Sequence, residues 1–188
     1  MLKGSAAAEQ GLRLWVAMVL RTMRYVIRDQ SSLRSREMSI EDHHGQRLFR
    51  VHGPMVRVRD ELRLDDAQGV EQAWIKDPVL GDSSTFEIYR DGAHFADVKT
   101  VAAGNVLEGY DIVIRSGGEP LRARGDMFER DFSVTERGQK AARVKRHPNN
   151  AVELETESGQ DEVLLLAGVV AIGAMTDLRA RAAARQDR

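Results

Sequence analysis

The sequence predicts a mainly β protein whose antiparallel strands close into a barrel around one buried helix. The first observation is a strand–turn–strand unit that recurs along the chain, with units beginning at Met38, Leu62, Phe86, Tyr110, Asp131 and Val152. The second is a single long apolar run at residues 161–176, DEVLLLAGVVAIGAMT, in a chain that otherwise alternates polar and apolar residues.

Composition excludes several classes of protein. The chain has 188 residues, which suffices for one domain with a sizeable core. The net charge is −1 with 30% charged residues, so the chain as a whole is not a strongly basic nucleic-acid binder. There is no cysteine, which excludes disulfide scaffolds, thiolate metal sites and cysteine nucleophiles.

Each repeated unit has the pattern of a half-buried β-hairpin. Met38 and Ile40 alternate with polar residues, and so do Phe86 and Ile88, which is the period-2 pattern of strands with one apolar face. Glycine suits a tight turn in which φ is positive. Every unit has a glycine at its turn: Gly45, Gly69, Gly92, Gly117 with Gly118, Gly138 and Gly159.

The apolar run is predicted to be a helix that is buried on all sides. Residues 163–175 carry no charge, and Asp161 and Glu162 precede them, where negative charge complements the helix dipole. A membrane-spanning helix needs about 20 apolar residues, whereas runs of roughly 10–14 are more often core helices. We therefore expect a core helix; a membrane anchor is the alternative.

Regular short strands with turns are compatible with a barrel, a sandwich, a solenoid or a propeller. The last unit argues against the repeat architectures because its second half becomes the apolar run. A closed barrel around the helix removes exposed sheet edges and gives the helix a surface on every side.

The two ends of the chain differ from its centre. Residues 1–22 contain a short apolar stretch interrupted by Arg13, without the pattern of a secretory signal. We interpret them as an N-terminal extension, either a short helix or a stretch upstream of the natural start at Met23. The barrel domain is then residues 23–177, with its central helix at 161–176. Residues 178–188 form an Ala- and Arg-rich tail that either extends the helix or is disordered.

Three features together carry a family likeness: the opening MRYVI at residues 23–27, the repeated units, and the closing LLLAGVVAI at residues 164–172. Over residues 23 to about 177 the chain resembles the LURP-one-related family, which belongs to the tubby C-terminal-like superfamily together with the phospholipid scramblases. The resemblance implies an antiparallel barrel of about 12 strands around a hydrophobic helix. Tubby proteins bind phosphoinositide headgroups through basic side chains, but no motif transfers those residues to this chain.

No catalytic, nucleotide or metal motif is present in the sequence. His43 and His44 are adjacent in a predicted turn, without ligand spacing to the other histidines, so we expect a solvated turn and no metal. Acidic pairs such as Asp65 with Asp66 fit turn chemistry. We expect no catalytic residues and no cofactor. The alternative is an enzyme acting on a lipid or small molecule through a surface carboxylate such as Asp65 or Asp126.

Paired basic residues on strand faces are the best candidates for a binding site. A solvated face with cross-strand charge pairs is the ordinary interpretation. The functional interpretation is a site for anionic headgroups, because each basic side chain near an anionic membrane contributes about 1 kcal/mol. The candidates are Arg57, Arg59, Arg122, Arg124, Arg143, Lys145 and Arg146.

These observations favour a non-enzymatic binding or scaffold domain that binds anionic phospholipid peripherally. We expect a cytoplasmic protein, attached at most to a membrane surface. Nucleic acid is not expected as a partner, because only 5% of residues are aromatic. A protein-interaction module is the further alternative. Trp74 is predicted to pack in the core rather than to stack on a ligand.

Overall fold

The structure is a computed structural model and describes residues 22–31, 35–54, 61–77, 84–103 and 106–186. These ranges contain twelve strands, a short 3-10 turn at Pro148–Asn150 and one long helix, α1, at Glu162–Gln186. The strands are β1 (Met23–Asp29), β2 (Ser35–Glu41), β3 (Arg47–Pro54), β4 (Glu61–Asp66), β5 (Glu71–Lys76), β6 (Thr85–Arg90), β7 (Ala93–Ala103), β8 (Val106–Ile114), β9 (Leu121–Asp126), β10 (Asp131–Glu136), β11 (Gln139–Arg146) and β12 (Val152–Thr156).

The strands form a closed barrel. Each pairs antiparallel with its neighbours in the chain, and β12 closes the ring by pairing with β1. Leu154 of β12, for example, lies opposite both Tyr25 of β1 and Val144 of β11. The predicted closed antiparallel barrel is therefore confirmed, and so is the strand number that the resemblance implied.

Alternation along each strand separates the core from the surface. In β4, Leu62 and Leu64 are buried while Arg63 between them is exposed. In β11, Val144 is buried while Lys145 beside it is exposed. Since successive side chains of a strand point to opposite faces, the apolar half of each strand lines the barrel interior.

Aspartates fix two of the predicted turns. Asp66 Oδ1 accepts hydrogen bonds from the backbone N–H groups of Gln68 and Val70, both at 2.9 Å. Asp42 does the same in the turn that contains His43 and His44, and these hydrogen bonds hold its pKa below the ordinary value despite the opposing effect of burial. Gly45 and Gly69 follow with φ of +80° and +82°, a conformation that side chains disfavour.

The helix α1 fills the barrel. Asp161 caps its N-terminus, because Oδ1 accepts the backbone N–H of Leu164 at 3.0 Å. Every residue from Leu164 to Thr176 is buried. Gly168 permits close packing, since a Cβ there would lie 2.5 Å from Cδ1 of Ile112.

Among the described residues, α1 is the one helix long and apolar enough to cross a membrane. Its most apolar segment has a mean hydropathy of 1.8, and 72% of that segment is buried inside the barrel. Length and composition alone therefore do not separate an anchor from a core helix. Because the twelve strands surround its apolar residues, α1 is the core helix that the sequence predicts rather than a membrane anchor.

The helix is longer than the apolar run. It continues through the Ala- and Arg-rich segment to Gln186, and residues 180–185 are exposed. Of the two possibilities for this segment, the structure shows the extended helix as far as it is described. Residues 1–21 of the N-terminal extension lie outside the described residues.

The barrel has two different ends. At the cap end α1 begins, and the turns that follow β2, β4, β6, β8 and β10 lie there. At the opposite end, here called the mouth, α1 leaves the barrel and the odd-numbered strands end. Arg130, which follows β9, contacts Asp177 of α1 and so fixes this assignment.

Candidate functional site at the mouth of the barrel

Two of the predicted basic residues are neutralised by acids on neighbouring strands. Arg124 binds Asp111 through Nη2 at 2.8 Å and donates from Nη1 to the carbonyl oxygen of Tyr110 at 2.8 Å. Arg143 pairs with Asp131 and donates to Ser133 Oγ at 2.9 Å. Their surroundings are those of a solvated strand face with opposite-charge pairs.

The side chains of two others have no hydrogen bond or ion pair with any described residue, but these two residues lie far apart. Arg122 is near the start of β9, towards the cap end, whereas Lys145 is near the end of β11, towards the mouth. Arg57 and Arg59 lie outside the described residues. The described members of the predicted set thus do not form one patch, and only Lys145 and Arg146 lie at the mouth.

Arg146 occupies an unusual position. It follows the buried Val144 by two residues, and the pairing of β11 with β12 continues without a bulge to Arg146 opposite Val152. Alternation therefore places Arg146 on the inward face of its strand, at the rim of the barrel. Its side chain is 52% exposed and pairs with Glu129 at 3.5 Å, a surface pair that contributes little.

Further arginines surround Asp177 where α1 leaves the barrel. Arg130 Nη2 binds Asp177 Oδ1 at 2.8 Å, and Arg36 Nη2 lies 3.9 Å from Oδ2. Glycine at position 173 makes room for Arg130, since a Cβ there would lie 2.4 Å from Nη1 of Arg130. The Nε atom of Arg179 is buried and has no hydrogen-bond partner among the described residues.

The arginines at the mouth also affect Tyr110, whose side chain is buried inside the barrel. Its hydroxyl and that of Thr176 are hydrogen-bonded at 3.2 Å. Burial raises the pKa of Tyr110, while the hydrogen bond with Thr176 and the positive charges of Arg179 and Arg130 oppose that rise. The positive charges of these two arginines at the mouth therefore act on a hydroxyl inside the barrel.

A cleft of about 250 Å³ opens beside these arginines, between α1 and the barrel wall. Its apolar floor comes from the wall and from the helix: Ile27, Phe132, Val144, Val169 and Val170. Its rim is polar: Asp29, Arg130, Arg146, Asn150 and Asp177. We predicted an interior filled by the helix; this cleft remains because Val169, Val170 and Gly173 are small.

The prediction that Trp74 packs in the core is wrong. Its neighbours Ala73 and Ile75 are buried, so alternation places Trp74 on the outer face. Lys76 Nζ lies 3.2 Å from the ring centroid, and the Tyr89 ring lies 5.7 Å away. The indole thus takes part in a cation–π and aromatic contact on the surface.

One group of potential metal ligands occurs among the described residues, and the sequence spacing had not indicated it. Glu87, His94 and Asp97 offer ligand atoms within 4.8 Å of one another. However, Asp97 is 2% exposed and its carboxylate pairs with His94 at 2.7 Å and with Arg115 at 2.9 Å. Cationic and imidazole groups therefore already satisfy the buried carboxylate, and we assign no metal to this group.

The carboxylates considered for catalysis have structural partners. Asp65 Oδ2 pairs with His52 Nε2 at 2.7 Å across β3 and β4. Asp126 Oδ1 accepts the backbone N–H of Glu129 at 2.9 Å, as an aspartate at a turn does. Neither residue lines the cleft.

Comparison with known proteins agrees with the geometry. The family model described as LURP-one-related matches residues 23–173. The chain belongs to the LURP-one-related family. The X-ray structure of a protein from Arabidopsis thaliana has the same fold, with 17% sequence identity and a TM-score of 0.64 over 85% of this chain and 93% of the other. No curated protein matches the chain.

For this LURP-one-related protein, sequence reasoning missed most of the mouth. Arg130 lies in a turn, and Arg36 stands between Ser35 and Glu37, which suggests an ordinary surface. Arg179 belongs to the Ala- and Arg-rich segment that was interpreted as a tail. A signal existed for Arg146: it stands two residues after Val144 and is therefore in phase with the inward face. Because Arg146 was grouped with Arg143 and Lys145 as one basic cluster, its inward position was not recognised.

Proposed function

We propose that this protein is a non-enzymatic binding domain that attaches peripherally to anionic phospholipid surfaces through the mouth of its barrel. The observation that carries the proposal is the set of exposed groups at that end. Phe128, in the turn after β9, is 52% exposed, and Lys145, Arg181 and Arg185 are exposed cations. The proposal includes a cytoplasmic location with attachment to a membrane surface.

Contacts connect the parts of this surface. The ion pair of Glu129 with Arg146 brings the turn that contains Phe128 to the end of β11. Arg146 and Asp177 line the same cleft, so the end of β11 is also beside the exit of α1. Phe128, Lys145 and the exposed end of α1 therefore surround one opening.

The chemistry of these groups suits a membrane interface. An exposed aromatic ring gains free energy when it enters the boundary between headgroups and acyl chains. Each nearby cation contributes about 1 kcal/mol at an anionic surface, so three of them give useful binding without any deep pocket.

Co-sedimentation with liposomes tests this proposal. The protein is expected to sediment with liposomes that contain anionic phospholipid, increasingly with their content, and to be released by salt. Lys145→Glu is expected to weaken binding at least about fivefold, the equivalent of 1 kcal/mol. Arg122→Glu is the matched control, because it reverses a similarly exposed and unpaired cation near the cap end.

Binding that depends equally on Arg122 and Lys145 would contradict docking through the mouth. Absence of binding at low salt would contradict the lipid proposal itself.

A further inference from the structure

The cleft beside α1 differs from the surface around it. Its floor is formed by aliphatic and aromatic side chains, among them Val169 and Val170 of α1 and Phe132 of β10. Its volume is about 250 Å³, and it opens to solvent at the mouth. The apolar floor can hold a slender apolar group, while the rim around it is polar.

The rim offers a place for a negative charge. Arg146 faces inward, is half exposed and has only the long surface pair with Glu129, so its guanidinium is available for a stronger partner. Asn150, at the end of the 3-10 turn, contributes an amide at the same rim. An arginine and an amide beside an apolar floor are complementary to a carboxylate or phosphate at the end of a chain.

The acids at the rim are already engaged. Asp177 binds Arg130 at 2.8 Å, and Asp29 Oδ1 accepts the backbone N–H of Ser31 at 2.8 Å. Arg36 Nη2 lies 3.9 Å from Asp177 Oδ2, and Arg179 brings a further positive charge near Tyr110. The combined charge at the mouth therefore favours an anion over a cation.

We propose that the cleft binds one unbranched acyl or alkyl chain with an anionic head, the chain lying on the apolar floor and the head at Arg146 and Asn150. This goes beyond attachment to a membrane surface, because such an amphiphile binds as a single molecule in solution. The anionic head is a carboxylate, as in a free fatty acid, or a phosphate, as in a single-chain phospholipid.

Calorimetric titration of the full chain without liposomes tests the site. Decanoate and decyl phosphate represent the two head groups, and decyltrimethylammonium has the same chain with a cationic head. We expect saturable one-to-one binding of at least one anion and at least tenfold weaker binding of the cation. The head group that binds more tightly identifies the source of the ligand.

Variants separate the two halves of the site. Val152→Trp fills the cleft from β12 and is expected to abolish binding, whereas Arg146→Gln weakens it about tenfold. Arg122→Gln is the matched control and leaves binding unchanged. Circular dichroism and thermal unfolding check each fold, and Met38→Trp fills the cleft from β2 if Val152→Trp does not fold.

Two results overturn the inference: no saturable binding of either anion, or binding that a folded cleft-filling variant retains. Neither result bears on liposome binding through Lys145 and the end of α1, so the failure of this inference is distinguishable from failure of the proposed function.

Discussion

Arg90 and Asp161 form a two-pronged ion pair, with Nη1 to Oδ2 at 2.8 Å and Nη2 to Oδ1 at 2.9 Å. The same carboxylate caps α1 through the backbone N–H of Leu164. The hairpin of β6 and β7 is thereby fastened to the start of the central helix, far away in sequence.

Removal of this carboxylate is expected to destabilise the protein. Asp161→Ala removes both the cap and the partner of Arg90, and loss of a helix cap alone costs about 1 kcal/mol. We expect the free energy of unfolding in urea to fall by about 1–2 kcal/mol. Glu119→Ala, at an exposed site in the turn after β8, is the control and should change it by less than about 0.5 kcal/mol.

The charge of Asp161 also predicts a dependence on pH. Burial alone would raise its pKa, but the hydrogen bonds from Arg90 and Leu164 outweigh burial and hold the pKa below the ordinary 3.8. The stabilisation is therefore present above pH 3.8 and is lost as the pH falls through the lowered pKa. Asp161→Asn keeps a capping oxygen without the charge. Its stability deficit relative to the wild type should shrink below pH 3.8; a deficit that grows there would contradict the assignment.

Much of the barrel could be predicted because the sequence signals for its hairpins are local. Alternation in stretches such as Leu62–Leu64, and a glycine at each of the repeated turns, specify hairpins without knowledge of the rest of the chain. The helix could be predicted because thirteen uncharged residues need burial on every side. Closure of the barrel followed from the need to remove sheet edges and to bury the helix on every side. The number and order of the strands needed the family resemblance, since no local pattern joins two strands at opposite ends of the chain.

The site could be predicted much less well. Lys145 and Arg146 were predicted, but the acids that neutralise Arg124 and Arg143 come from other strands, two residues along from the positions directly opposite these arginines. The environment of Arg130 depends on Gly173, forty-three residues later, as its hydrogen bond to that carbonyl shows. The prediction for Trp74 was wrong because Val70, four residues earlier, suggested that this face of the strand is apolar. The core-facing residues are instead Ala73 and Ile75.

All three tyrosines are expected to resist ionisation. Burial and the hydrogen bond to Glu162 raise the pKa of Tyr25, burial raises that of Tyr110, and a hydrogen bond to Glu87 raises that of Tyr89. These groups stabilise the fold below pH 10, and the stabilisation is lost as the pH rises through the raised values.

An alkaline titration followed by phenolate absorbance checks this. We expect no tyrosine of the folded protein to titrate at the ordinary value of 10 and expect the chain to lose stability above that pH. A tyrosine that titrates near 10 while the far-ultraviolet circular dichroism remains native would contradict the contacts described for it.

The role of α1 as a core helix predicts the effect of a buried charge. Leu166 is fully buried, so Leu166→Asp places an unpaired carboxylate in the interior, at a cost of several kcal/mol that rivals the whole stability of a domain. We expect loss of soluble, folded protein, while Ala183→Asp on the exposed part of α1 remains folded. A Leu166→Asp variant that stays folded and merely moves from the membrane fraction to the soluble fraction would favour an anchor.

Docking through the mouth is tested most directly by fluorescent labels at the two ends of the barrel. The chain has no cysteine, so Ala183→Cys on the exposed end of α1 and Gln68→Cys in a cap-end turn each give one labelling site. With an environment-sensitive label and anionic liposomes, we predict a blue shift at position 183 and none at position 68. A blue shift at position 68 alone, or none at position 183 when the protein is bound, would contradict the proposal.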